Sequence, residues 1–190
     1  MKIIVARYNE DINWTKQFPD VIIYNKGDDD LESSFQNIIK LKNVGREGHT
    51  YYTYIYENYD NLDKYTIFLQ GNPFDHSPNV VENITNYINN TSLNIDFAFI
   101  SELILETNIS YDKYHHGIPL KSVFQYLFDS DIDNMPFNFG NGAQFIVSKE
   151  TIHKHPKEFY LKIVKLLENE VNPIEGFVIE RFHVLIFTMI

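Results

Sequence analysis

Arg7, Asn9 and Glu10 follow an apolar run at residues 3–6, and Gln70, Asn72, Asp75 and His76 follow a second run at residues 66–69. Arginine and amide side chains at the ends of strands suit a phosphate or a sugar hydroxyl. The guanidinium offers a fork of donors, and each amide both donates and accepts. Asp75 and His76 are also ligand types for a divalent metal. Adjacent residues on an extended chain point to opposite sides, so one of the two is expected to face the site. A third polar stretch, Asn43-Val44-Gly45-Arg46-Glu47-Gly48-His49, leads into a tyrosine-rich helix. A glycine-flanked entry to a helix N-terminus suits an anion, because backbone N–H groups and the helix dipole favour negative charge there. Arg46 adds its own donors.

Glu180 and Arg181 interrupt an otherwise apolar final helix. Buried charges need partners, so the pair reads either as an ion pair that fixes the helix or as a carboxylate raised by burial to act as general base. His183 stands three residues beyond Glu180 on the same helix face, a spacing used by metal sites in helix bundles. Asp129, Asp131 and Asp133 alternate like the start of a calcium loop, but the glycine and closing glutamate are not at the required spacings. Asp28-Asp29-Asp30 reads as a solvated turn or helix cap, and His115, His116, His153 and His155 as surface residues. The sequence has no cysteine, no G-x-S-x-G, no Walker A and no G-x-G-x-x-G. Those absences count against nucleophilic hydrolase, phosphate-loop and dinucleotide readings.

These residues need a scaffold that ends several strands at one edge. Short apolar runs predict strands at residues 2–6, 21–24, 66–69, 97–100 and 143–148. Periodicity predicts helices at residues 14–18, 50–59, 80–88, 120–128, 157–168 and 175–187. Residues 33–42 are ambiguous, 102–117 show no clear period, and 129–142 read as a long loop. Strands alternating with helices predict an α/β fold. It is a single domain over residues 1–190, with a mainly parallel central sheet flanked by helices and a ligand site at the strands' carboxyl ends.

The formal charge of −10 and the lack of any Lys/Arg cluster argue against a nucleic-acid partner. No apolar run is long enough for a membrane span, and the start is unlike a signal peptide. With no cysteine, the expected location is cytoplasmic. Aromatic residues make up 15% of the chain, and tyrosines suit pocket walls as well as the core rim.

The segments VARYNED, YNKG, NVGREGHTYYTYI, TIFLQGNPFDH, GAQFIVSKETI and ERFHVLIF, in this order, resemble the DUF3431 family over nearly the whole chain. That family is similar to nucleotide-sugar-dependent glycosyltransferases of the GT-A fold. The resemblance implies a GT-A-like domain that transfers a sugar from a nucleoside diphosphate donor to a hydroxyl of a glycan, lipid or protein acceptor. It implies that the donor lies at the carboxyl ends of the first strands. Arg7, Asn9 and Arg46 would hold the diphosphate, with Glu10 and Asn43 beside them. Gln70-Gly71-Asn72 stands where GT-A enzymes carry the Asp-x-Asp motif that binds Mn²⁺ or Mg²⁺, with Asp75, and His76 after it, as the metal-ligand types nearby. Gln70, Asn72 and Asp75 would contact the sugar or a metal, and Gln144 would lie on the acceptor side. Glu180, or failing it Asp75, would be the base. Amides bind a diphosphate without neutralising it, so Arg7 and Arg46 would supply the charge. Two other readings stay open: a non-catalytic carbohydrate- or nucleotide-binding domain, and a metal-dependent hydrolase.

Overall fold

Strand β1 (Lys2–Arg7) is buried along almost its whole length, as a near-continuous apolar run requires in a sheet covered on both faces. It pairs in parallel with β2 (Val21–Asn25) on one side and β4 (Tyr65–Gln70) on the other, and β2 pairs in parallel with β3 (Ile38–Lys40). A computed structural model describes residues 1–31 and 35–189 in this way. Strand β3 lies in the stretch whose sequence was ambiguous. Ser33 and Ser34, at the head of that stretch, are outside the described residues.

The chain steps outward from β1 to β3, then returns through α1 (Arg46–Asn58) to place β4 on the other flank of β1. The strand order therefore reverses between β1 and β4, and a crevice opens at their carboxyl ends. Helix α2 (Val80–Asn89) follows, then β5 (Phe97–Phe99). Next come β6 (Ile104–Asn108), α3 (Leu120–Phe128) and β7 (Pro136–Gly140), with β6 and β7 forming a separate two-stranded antiparallel sheet. Strand β8 (Phe145–Ser148) completes the six-stranded sheet, in the order β3-β2-β1-β4-β8-β5.

Strand β8 runs antiparallel to both β4 and β5, so the sheet is mixed, with its parallel part on the β3-to-β4 side. The cause lies in the preceding residues. A Cβ at Gly140 would sit 2.8 Å from the Phe99 ring and 3.0 Å from Ser101, so the chain reaches the sheet at its carboxyl edge and must run back down. The β6–β7 ribbon went unseen in the sequence because few of its residues are buried and neither strand is an apolar run.

Side chains alternate across the sheet. Ile4, Phe68 and Phe145 face the core built with α1, α5 (Lys157–Leu167) and α6 (Ile174–Thr188). Ile3, Val5, Ile67 and Leu69 face the opposite core with α2. Each large apolar side chain so buried contributes about 1.5–3 kcal/mol. Short helix α4 (Lys149–Ile152) is capped by Ser148, whose Oγ accepts from the Thr151 N–H at 3.0 Å. The helix expected at residues 14–18 is a 3-10 turn, Asn13–Gln17, and α1 starts four residues before its predicted start. No helix among the described residues is long and apolar enough to cross a membrane.

Candidate functional site

At the carboxyl ends of β1 and β4 lies a cleft of about 640 Å³. Its wall includes Arg7, Glu10, Asn43, Arg46, Gln70, Asn72 and Asp75, joined by Tyr8, Lys26, Glu47 and Asn172. The sheet turns that form it are packed tightly. A Cβ at Gly27 would fall 1.5 Å from the Tyr8 carbonyl oxygen, so only glycine lets the chain after β2 cross the chain after β1. A Cβ at Gly71 would meet Glu10 Oε2 at 2.5 Å, so the Glu10 carboxylate lies directly against the central turn. Trp14 Nε1–H donates to the Gly71 carbonyl at 2.9 Å and ties that turn to the 3-10 segment.

The cations differ in what they have left to offer. Arg7 is 4% exposed and largely consumed: Nε donates to the Glu10 carbonyl at 3.0 Å, Nη1 to Asn25 Oδ1 at 2.9 Å and Nη2 to Asp30 Oδ1 at 2.9 Å. It therefore clamps the loops after β1 and β2. Arg46 is more open. Its guanidinium lies over the Phe177 ring at 4.4 Å, its nearest carboxylate, Glu47, is 3.8 Å from Nε, and Nε has no hydrogen-bond partner among the described residues. Its backbone has φ 53°, in the left-handed region that a branched or long side chain seldom adopts, directly after Gly45 at φ 64°. Of the N–H groups at this helix entrance, those of Gly45 and Arg46 donate to the carbonyls of Glu170 and Val171.

Lys26 was missed by the sequence reading, which took Asn25-Lys26-Gly27 as a turn. It is 8% exposed, and its ammonium donates to the Val44 carbonyl at 2.6 Å and to the Arg46 carbonyl. Burial lowers its pKa to about 8, with Glu47 opposing the shift. Its position at the end of a strand, like that of Arg7, was the available signal.

The remaining predicted residues hold the cleft from behind or from the side. Asn9 Oδ1 accepts from the Asp28 N–H at 2.8 Å and fixes the turn after β2. In the acidic run, Asp29 pairs with Lys40 at 2.6 Å and Asp30 with Arg7. Asp75 lines the cleft and receives a long contact of 3.4 Å from Asn72 Nδ2. His76 packs against Gly142 and makes a 3.0 Å hydrogen bond through Nδ1 with Asn141. Gln144 is 1% exposed and donates to the Pro73 carbonyl at 2.9 Å, bracing the central turn. Glu180 is 9% exposed, accepts from the Gly142 N–H at 2.8 Å and pairs with Arg181 at 3.0 Å. Burial first, and then Glu47, raise its carboxyl above the usual range, while Gly142, Arg181 and Arg46 oppose the rise. His183 lies in the core, bonded through Nδ1 to the Tyr52 hydroxyl at 2.8 Å, and burial lowers its pKa to about 3, so it is neutral. His155 is half-buried and stacks on Phe159 at 4.0 Å.

In the turn after β4 the donor groups are the amides of Gln70 and Asn72 and the carboxylate of Asp75, with the Glu10 carboxylate against Gly71. Among the described residues no three His, Cys, Asp or Glu side chains gather to hold a metal ion.

Fold and site define an α/β protein with a mixed-charge cleft at the switch point of its sheet. Residues 3–100 and 90–190 match the family described as Protein of unknown function (DUF3431), and the chain belongs to that family. Neither the curated proteins nor the solved structures gave a match.

Proposed function

We propose that this protein is a GT-A-like transferase that moves a sugar from a nucleoside diphosphate donor to an acceptor hydroxyl. The observation that carries this reading is the cleft at the β1–β4 switch point, with Lys26 and Arg46 facing it. Open α/β sheets bind nucleotides at that position. Departure of a nucleoside diphosphate concentrates negative charge, and cations held in advance stabilise it without reorganising. Lys26 and Arg46 take this role, and Arg7 supports it by fixing both loops. Gln70 and Asn72 contact the sugar hydroxyls, since amides match groups that both donate and accept. Asp75, on the cleft wall, takes the acceptor proton, and Glu180 holds Gly142 and Arg181 in place.

The test is release of nucleoside diphosphate from a panel of nucleotide-sugars, with and without Mn²⁺. Turnover with one donor, retained without added metal, is the expected result. Tight binding without turnover selects the non-catalytic reading, which the amides in place of a metal-binding acidic pair favour. No binding of any donor removes both.

A further inference from the structure

Beside the main cleft, and sharing Glu10 and Asn72 with it, lies a second concavity of about 450 Å³, lined by Glu10, Asp11, Trp14, Asn72 and Phe74. We propose that it binds the pyranose ring of a neutral saccharide. The proposal goes beyond the transferase reading: the saccharide would serve as acceptor only if that reading stands, but its binding does not depend on it.

The wall is aromatic and fixed. Trp14 packs against the core on the α2 face of the sheet, and its indole N–H is anchored on the Gly71 carbonyl at 2.9 Å. Phe74, 38% exposed, meets it edge-on, with ring centroids 6.0 Å apart and planes at 82°. A pyranose presents one face of C–H groups that can cover an aromatic ring while its hydroxyls point outward. A wall already held in place orders nothing further when the ligand arrives.

The rim accepts hydrogen bonds and carries no cation among its lining residues. Glu10 gives Oε2 to the Tyr8 N–H at 2.7 Å, and Asp11 gives Oδ1 to the Asn13 N–H at 2.8 Å. Each keeps a second carboxylate oxygen, an acceptor only, which calls for a ligand rich in donors. Sugar hydroxyls are such donors, whereas a phosphate would meet two like charges. The main cleft sets Lys26 and Arg46 among its carboxylates, whereas the second concavity has carboxylates and no cation, so anionic groups go towards Lys26 and Arg46 and a neutral polyol towards Trp14.

Trp14 is the only tryptophan in the sequence, so its emission reports on this wall and on the Gly71 turn it bonds. Titration of the whole protein with cellotriose, maltotriose and chitotriose should give a saturable blue shift with at least one of them. Phe74→Ala, which keeps the reporter, should weaken that affinity about 2- to 10-fold. Asp11→Ala should weaken it as well. Parallel calorimetry with UDP, GDP and dTDP reads the main cleft separately. No response to any of the three saccharides overturns the proposal. So does an affinity unchanged in both variants, or a nucleoside diphosphate that produces the blue shift and competes with the saccharide. Nucleotide binding without a saccharide response sinks the saccharide site alone, and a saccharide response without nucleotide binding sinks the transferase reading alone.

Discussion

Arg181 and Arg46 both meet carboxylates, one behind the sheet edge and one in the cleft, under opposite conditions. Arg181 is 4% exposed; its Nε donates to Asp112 at 2.9 Å, and its Nη1 donates to Glu180 and to the Phe177 carbonyl, each at 3.0 Å. Asp112 in turn accepts from Thr107, Tyr114 and His115. Burial alone would raise the Asp112 carboxyl, but hydrogen bonds from Arg181 and Thr107 hold it below its usual value. This network ties α6 to β6 and, through Glu180 and Gly142, to the turn before β8. Arg46 has only a loose contact with Glu47 and a ring beneath it. A buried charge with close carboxylate partners holds a fold together, and one left with only a loose contact can hold a ligand. By that test Arg7 belongs with Arg181, although it lies on the cleft wall.

The largest effect separating the two regions is on stability. Arg181→Ala leaves Asp112 and Glu180 buried without their partner and should cost about 3–5 kcal/mol in urea unfolding. Arg46→Ala breaks only a loose contact of 3.8 Å in a half-buried pair and should cost about 1 kcal/mol. A similar loss from both would erase the distinction.

Turnover separates the two carboxylates next. Asp75→Asn should lower it about 10²- to 10⁴-fold if Asp75 is the base. Glu180→Gln keeps an acceptor for Gly142 and should leave turnover within about tenfold of wild type. The opposite pattern would move the base to Glu180.

Binding comes third. Lys26→Met should weaken nucleoside diphosphate binding about 10- to 100-fold, the weight of a hydrogen bond to a charged group. Because the buried lysine titrates at about 8, its charge is present below that pH and lost above it. Affinity in wild type should therefore fall as pH rises through about 8, apart from any upward shift the bound anion induces, and this step should be missing in Lys26→Met.

The smallest effect is on the pH dependence of stability. The raised Glu180 carboxyl binds its proton more tightly in the folded state. Its contribution is therefore full below the unfolded pKa and lost as pH rises through the folded one. Glu180→Gln should flatten that decline.

Strands β1, β2, β4, β5 and β8 and most helices were legible because they are apolar runs or strong 3.6-residue patterns, as in α3 and α5, whereas β3, exposed at all three residues, was not. The half-exposed β6–β7 ribbon was not, and the direction of β8 depends on where the chain re-enters the sheet. The cleft was largely legible, since polar residues right after apolar strands end up at one edge. What could not be read was how each charge is used. In the sequence Arg7 and Arg46 look equally available, and Lys26 looks like part of a turn. Their partners, Asn25, Asp30 and the carbonyls of Val44 and Arg46, converge only in the folded chain.

The most direct test of the cleft's role is calorimetric titration of wild type and of the Lys26→Met, Arg46→Ala double variant with UDP, GDP and dTDP. One-site binding of at least one nucleotide to wild type, weakened about 100-fold or more in a double variant that remains folded, is the result expected. No binding to wild type, or equal binding to both proteins, would contradict it.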